Sequence, residues 1–226
     1  MYKIKILMTE FVTHDVKRFI VEKPKDYDFI PGQATEISIN KPNLKNKKRP
    51  FTFTSLNNDL VLEFTIKIYN DHNGVTKELG KLNSGDELII GDPFGTINYK
   101  GKGVFIAGGA GITPFIAILR NLKNQEKLKE NKLIFSNKTS KDIILEKELK
   151  NMFEKNLILI LTQELNKENQ DYQYMRINEN FLKNNIKDFN QNFYICGPKK
   201  FVEDIKNYLK KLGAKIQALV FEGKNN

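Results

Sequence analysis

The sequence predicts two successive folds: an antiparallel β-barrel over residues 1–98, then an α/β doubly wound parallel sheet over residues 99–226. Two observations carry this. The first hundred residues alternate short, period-two apolar runs with turn chemistry, and the remainder alternates apolar strand candidates with helical patterns. Glycines at positions 95, 101 and 103 punctuate the junction near Ile97–Lys102. A chain of 226 residues has room for one large or two small domains at about 150 residues each.

In the first half, strands are expected at Lys3–Val12, Lys17–Val21, Ala34–Ile39, Phe51–Thr54, Leu60–Ile68 and Glu87–Ile90, with one helical insert at Val75–Leu82. Pro31-Gly32, Asn57-Asn58, Ser84-Gly85-Asp86 and Gly91-Asp92-Pro93 separate them. Short strands with turns between them suit a small barrel. In the second half the pattern runs Val104–Ala107 then Pro114–Lys123, Leu133–Phe135 then Ile143–Phe153, Leu157–Leu161 then Asn178–Ile186, and Phe193–Ile195 then Lys199–Leu212, closing on Ile216–Phe221. Strand and helix in alternation signal a parallel sheet. The Asn/Lys-rich stretch Asn166–Gln173 reads as a loop.

Composition narrows the classes. Hydrophobic residues make up 40% of the chain, with 16 Phe and 8 Tyr, enough for a real core. One cysteine excludes a disulfide framework, a cysteine-ligated iron–sulfur cluster and a Cys-rich zinc site, and two histidines add little; no metal is expected. The formal charge of +10 is carried by lysine, because only Arg18, Arg49, Arg120 and Arg176 are arginines. The first residues have no continuous apolar segment of a secretory signal. The uncharged stretch from Gly103 to Leu119 holds four glycines and a proline and falls short of the ~20 residues of a membrane span. The expectation is a cytoplasmic protein that does not enter a membrane.

Two turns carry the chemistry of the second half. Val104–Ala107 leads into Gly108-Gly109-Ala110-Gly111-Ile112-Thr113-Pro114 and an apolar helix. Glycines allow a ligand close to the backbone, Thr113 suits a helix N-cap and Pro114 the first helical position. A helix N-terminus of this kind favours phosphate, although Pro114 stands where the dinucleotide fingerprint has its third glycine. Phe193-Tyr194-Ile195 then ends in Cys196-Gly197-Pro198, a second turn of the same type. In a doubly wound sheet both lie at carboxyl ends of strands, where ligands bind. From residue type alone, Cys196 reads as a small buried hydrophobe. The strand Leu133–Phe135 ends in Ser136-Asn137-Lys138-Thr139, whose hydroxyls, amide and cation suit the 2′-phosphate of NADPH better than the ribose of NADH, with NADH still open.

In the barrel, Arg49-Pro50-Phe51-Thr52 sets a rare arginine and an aromatic on one strand face and a hydroxyl on the other. Arginine is the residue for bidentate phosphate contact. Taken in order with Gly74-Val75-Thr76, Gly109-x-Gly111-Ile-Thr-Pro114 and Cys196-Gly197-Pro198, this motif resembles the ferredoxin–NADP reductase-like superfamily of flavoenzymes, and within it the compact bacterial flavodoxin/ferredoxin reductases.

The resemblance covers nearly the whole chain and implies roles. Arg49 would hold the FAD pyrophosphate, Phe51 would lie against the isoalloxazine, and Thr52 would hydrogen-bond its reactive nitrogen. Thr65, Ile66 and Lys67 would line the flavin by backbone and side chain. Gly74, Val75 and Thr76 would cap the pyrophosphate. Gly109, Gly111 and Thr113 would meet the nicotinamide nucleotide, Ser136 and Lys138 its 2′-phosphate, and Cys196, with Gly197 and Pro198, its nicotinamide ring. Phe51 replaces a commoner tyrosine and keeps the stacking face. Phe221 either shields the second flavin face or only finishes the last strand, and Glu222 is a candidate proton or nicotinamide partner. His72 is expected in an exposed loop, and the basic run Lys41–Arg49 as a solvated loop.

The implied activity is FAD-dependent NAD(P)H oxidation, with electrons passed to an acidic protein such as flavodoxin or ferredoxin. The alternatives are another acceptor (a haem protein, an oxygenase component or a small molecule), or a basic nucleic-acid-binding barrel. Scarce arginine and the lack of a dense basic–aromatic stripe weigh against nucleic acid.

Overall fold

The computed structural model describes residues 1–71, 73–95, 97–165 and 168–221, with the backbone alone at Ile216 and Phe221. By contacts the chain forms two compact units. Unit 1 is Met1–Asn98 with Thr113–Asn121; unit 2 is Tyr99–Ile112 with Leu122–Asn226.

Unit 1 contains β1 (Tyr2–Phe11), β2 (Val16–Glu22), β3 (Ala34–Ile39), β4 (Arg49–Thr52), β5 (Val61–Lys67), α1 (Val75–Gly80) and β6 (Glu87–Ile90). The sheet order is β4-β3-β6-β1-β2-β5, with every pair antiparallel. An isolated bridge, Phe53 to Phe64, joins the two outer strands and nearly closes the barrel. Closure removes exposed sheet edges.

Alternation along the strands supplies the interior. Ile4, Ile6, Phe19, Ile37, Phe53, Leu62, Phe64 and Leu88 are all buried in one cluster, each worth about 1.5–3 kcal/mol of transfer free energy. The Phe29 and Phe53 rings stack at 4.2 Å. The register of β1 shifts between Ile6 and Met8, which leaves Leu7 and Met8 both exposed. All six expected strands are present, with ends displaced by at most two residues.

In chain order, β7 (Gly103–Gly108), α2 (Thr113–Asn124), β8 (Lys132–Asn137), α3 (Glu146–Phe153), β9 (Leu157–Leu161), β10 (Tyr172–Gln173), α4 (Glu179–Asn185), β11 (Asn192–Cys196), α5 (Lys199–Lys211) and β12 (Leu219–Phe221) follow. The sheet of unit 2 is parallel throughout, in the order β10-β9-β8-β7-β11-β12. Successive strands step outward from β7 to β10, and the chain then returns to the other side of β7. The switch point is therefore between β7 and β11.

Three local expectations are corrected. A 3-10 turn over Gly109–Ile112 runs directly into α2, so Thr113 is its first residue rather than a flanking cap. Helix α3 begins at Glu146, not Ile143, because Thr139–Asp142 forms its own capped 3-10 turn and Leu145 takes a left-handed φ of 55°. Tyr172–Gln173, expected as loop, pairs in parallel with Leu159–Ile160. Among the described residues, no helix is long and apolar enough to cross a membrane.

Candidate functional site

The barrel motif and the insert helix meet in one groove. Arg49, Pro50, Phe51, Tyr69, Gly74, Val75 and Thr76 line an open cavity of about 390 Å³. Strand β4 positions the first three through its pairing with β3, where Phe51 lies opposite Thr35 and Arg49 opposite Ile37. The Phe51 ring is partly buried and packs on the barrel core, which fixes its orientation while leaving one face in the groove. Arg49 is exposed and donates from Nη1 to the Lys48 carbonyl at 2.7 Å. Across the groove, Val75 buries its side chain in the core, and Gly74 has no side chain to cap α1. Nothing lies within 4 Å of where a Gly74 Cβ would be. A guanidinium, an aromatic face and an open glycine wall match a ligand with a planar ring and a pyrophosphate.

Other barrel residues lie differently. Thr52 is half-buried beside Ala34 and does not line the cavity. Ile66 points into the core, and the Lys67 ammonium is 2.7 Å from the Asp15 carboxylate. Of the backbone and side-chain lining expected of these two residues, the backbone is free to face a ligand, while the side chains are engaged in the core and with Asp15.

In unit 2 the two glycine turns come together. Ala107 of β7 pairs with Cys196 of β11, and Gly108 pairs with Ser136 of β8, so the three strands end at one edge. A Cβ on Gly111 would sit 2.3 Å from the Cys196 carbonyl oxygen and 2.6 Å from the Gly197 Cα. Only glycine permits this approach. Gly109 has φ +52° and open space where a Cβ would be. The edge at the β7/β11 switch point thus presents bare backbone, as a dinucleotide requires. Cys196 is 5% exposed, which satisfies the plain reading of a buried side chain as well. Pro198 is exposed and immediately precedes α5. Thr113 is half-buried at the start of α2.

The loop after β8 holds Ser136 buried and Lys138 exposed. Its remaining donors are turned toward carboxylates. Thr139 donates its N–H and hydroxyl to Asp142 at 2.8 and 2.6 Å, and Ser140 donates both of its own to Glu164 at 2.8 Å each. These hydrogen bonds hold the Glu164 carboxyl below the usual carboxylate range. The side chain of Phe221 and all of Glu222 and His72 lie outside the described residues; the Phe221 backbone pairs with Ile195.

Three residues escaped sequence reading. Tyr69, 43% exposed, lines the barrel groove just past β5. Arg120 donates from Nη1 to the Thr54 carbonyl and to Glu63 Oε1, both at 2.7 Å, and Thr54 Oγ1 donates to the same oxygen at 2.8 Å. A rare arginine directly after the apolar run Phe115–Leu119 was its one signal. Glu164 had none, since Ser140 is 24 residues away in the chain.

Comparison with known proteins agrees with the two-domain architecture. The oxidoreductase FAD-binding domain family matches residues 3–99, and the oxidoreductase NAD-binding domain family matches residues 105–207. NADH-cytochrome b5 reductase 1 of Kluyveromyces lactis is 34% identical over 150 residues, 61% of this chain and 52% of that protein. NADH-cytochrome b5 reductase 3 of Rattus norvegicus is 26% identical over 241 residues, 89% and 79% of the two chains. The chain spans 52%, 53% and 60% of the lengths of three yeast relatives it matches. A ferredoxin NADP+ reductase from Neisseria gonorrhoeae, solved with bound FAD and NADP, shares the fold at a TM-score of 0.84 and 19% identity over 98% of this chain and 97% of that one. With both domain families in this order, on a barrel followed by a parallel doubly wound sheet, the chain belongs to the ferredoxin–NADP reductase-like superfamily of FAD-containing NAD(P)H oxidoreductases.

Proposed function

We propose that the barrel groove holds FAD, that the glycine edge of unit 2 holds the nicotinamide nucleotide, and that the enzyme passes electrons to a one-electron redox protein. The observation that carries this is the joint lining of one groove by Arg49, Phe51 and Gly74–Thr76, two segments more than twenty residues apart in the chain. Arg49 binds the pyrophosphate by charge-assisted hydrogen bonds, and the N–H groups at the start of α1 bind it from the other wall. Phe51 stacks on the flavin ring; Thr52, next to it on β4 but outside the cavity lining, is the candidate partner of the reactive nitrogen at the edge of the groove. Tyr69 adds a second aromatic to the groove. In unit 2, Gly109 and Gly111 receive the nucleotide backbone, with Thr113 just beyond them in the chain at the start of α2, and Cys196 with Gly197 and Pro198 bounds the nicotinamide end. Bound FAD supplies the chemistry itself, accepting hydride from nicotinamide and releasing electrons singly.

The acceptor on this reading is an acidic flavodoxin or ferredoxin in the cytoplasm, drawn by the lysine-rich surface. Relatives named as cytochrome b5 reductases favour a second reading, in which the acceptor is a haem protein. Stopped-flow reoxidation of the reduced, FAD-loaded enzyme by flavodoxin, ferredoxin and cytochrome b5 separates the two. Faster transfer to either iron–sulfur or flavin protein supports the first; faster transfer to the cytochrome supports the second. A protein that retains no FAD after reconstitution overturns both.

A further inference from the structure

We propose that Asn73-Gly74, beside the barrel groove, is a site of spontaneous self-modification in which Asn73 loses its amide, and that bound FAD guards it. The guarding role rests on the FAD reading above; the modification itself does not. Of the 26 asparagines in the chain, Asn73 alone precedes a glycine. The chemistry is intrinsic to that dipeptide, because glycine has no side chain to keep its amide nitrogen away from the neighbouring side-chain carbonyl. The Gly74 nitrogen attacks Cγ of Asn73, the Cγ–Nδ2 bond breaks, and the amide leaves as ammonia. Water then opens the cyclic imide at either of its carbonyls, giving aspartate or isoaspartate. Nothing is oxidised or reduced, and water is the sole co-reactant.

The local structure favours this reaction. Asn73 is exposed, and Gly74 has extended backbone, φ −108° and ψ 174°, just ahead of α1. A nitrogen inside a helix is committed to the carbonyl four residues back, whereas that of Gly74 precedes the helix. Nothing stands within 4 Å of where a Gly74 Cβ would be, so the turn has room to close into a ring. The Lys77 ammonium donates to Asn73 Oδ1 at 3.2 Å. A cation on that oxygen polarises the carbonyl and stabilises the negative charge that develops there during the attack. Asn83-Ser84 supplies a contrast within the same unit. The Asn83 N–H donates to Asp86 at 2.9 Å and its Nδ2 to the Lys81 carbonyl at 3.3 Å, and a serine follows it. The consequence of reaction at Asn73 lies in the groove, which Gly74, Val75 and Thr76 line together with Arg49 and Phe51. Aspartate sets a new negative charge beside the pyrophosphate seat, and isoaspartate also lengthens the backbone by a methylene just before Gly74. Both changes oppose binding of the phosphates. With a pyrophosphate seated, the Gly74–Thr76 backbone is held still and the Gly74 nitrogen is shielded. The FAD-free chain therefore carries a one-way route to loss of cofactor binding, closed while FAD stays bound.

The test ages the full chain, FAD-free and FAD-loaded, in warm, mildly alkaline buffer. Peptide mass spectrometry follows each asparagine, and isoaspartyl methyltransferase labels the rearranged product. In the FAD-free protein Asn73 should convert about tenfold faster than Asn83 or any other asparagine, and saturating FAD should slow it by a similar factor. Lys77→Met should slow the FAD-free conversion severalfold. Asn73→Gln, whose longer side chain closes a ring far more slowly, should bind FAD as the fresh unaltered protein does and keep that affinity on ageing. The aged unaltered protein should lose FAD affinity by about tenfold, and Asn73→Asp by less, since it carries the charge without the lengthened backbone. Conversion of Asn73 no faster than that of the other asparagines overturns the proposal. So does equal conversion with FAD bound, or an aged protein whose FAD affinity is unchanged; all three leave the flavoprotein reading intact. Failure of the fresh chain to bind FAD overturns that reading and the guarding role with it, while the FAD-free arm still decides the modification.

Discussion

At the scale of single residues, Arg49 and Gly111 do different physical work. Arg49 is exposed and contributes little to the fold, so its value lies in what it can bind. Arg49→Met should weaken FAD binding by about 10- to 100-fold, the size of one strong charge-assisted contact. It should move the Tm of the FAD-free protein by less than about 2 °C. Fluorescence titration with FAD and a thermal melt check the two halves. Gly111 works the other way, because a Cβ there meets backbone atoms of Cys196 and Gly197 that cannot swing aside. Gly111→Ala should cost roughly 2–3 kcal/mol in denaturant unfolding and displace the Cys196 turn. At Gly109 the added Cβ meets nothing and only the left-handed φ of 52° opposes it, so Gly109→Ala should cost about 1 kcal/mol.

At the scale of elements, the short helix α1 depends on one buried lysine. Lys17 on β2 is 5% exposed and donates to the Gly80 and Leu82 carbonyls at 3.0 and 2.6 Å, which ties down the end of the helix whose start lines the groove. Burial pushes the Lys17 ammonium below its ordinary value, with the Asp86 charge opposing. Just below pH 10.5 the unfolded chain therefore holds this proton more firmly than the folded one, and stability gains with rising pH. Lys17→Met should cost about 2–4 kcal/mol by orphaning two carbonyls. The stability difference between the two proteins should widen in favour of the unaltered one as pH rises toward 10.5. Urea titrations at several pH values read this directly. Neither this clamp nor the Arg120–Glu63 pair was legible in the sequence, because their partners are 63 to 65 and 57 residues away. What was legible is local: period-two runs gave the strands, and glycine with proline marked both ligand turns. The 3-10 turn ahead of α2 was not, since Gly-Ile-Thr-Pro reads equally well as a capped start.

At the scale of the whole molecule, a charge of +10 in 226 residues would draw in the acidic electron acceptor proposed above. The rate of electron transfer to such an acceptor should fall severalfold as ionic strength rises from about 0.01 to 0.1 M, where the screening length shrinks from about 30 to 10 Å. Transfer to a small neutral quinone should not change. Ahead of any acceptor stands the claim that this chain reduces flavin with a nicotinamide nucleotide, using the barrel groove for one and the glycine edge for the other. Anaerobic titration of the FAD-loaded protein with NADH, followed by the visible absorbance of the flavin, tests it most directly. Stoichiometric bleaching, reduced in Arg49→Met in step with its weaker FAD binding, is the predicted result. A retained flavin whose absorbance neither NADH nor NADPH alters would contradict it.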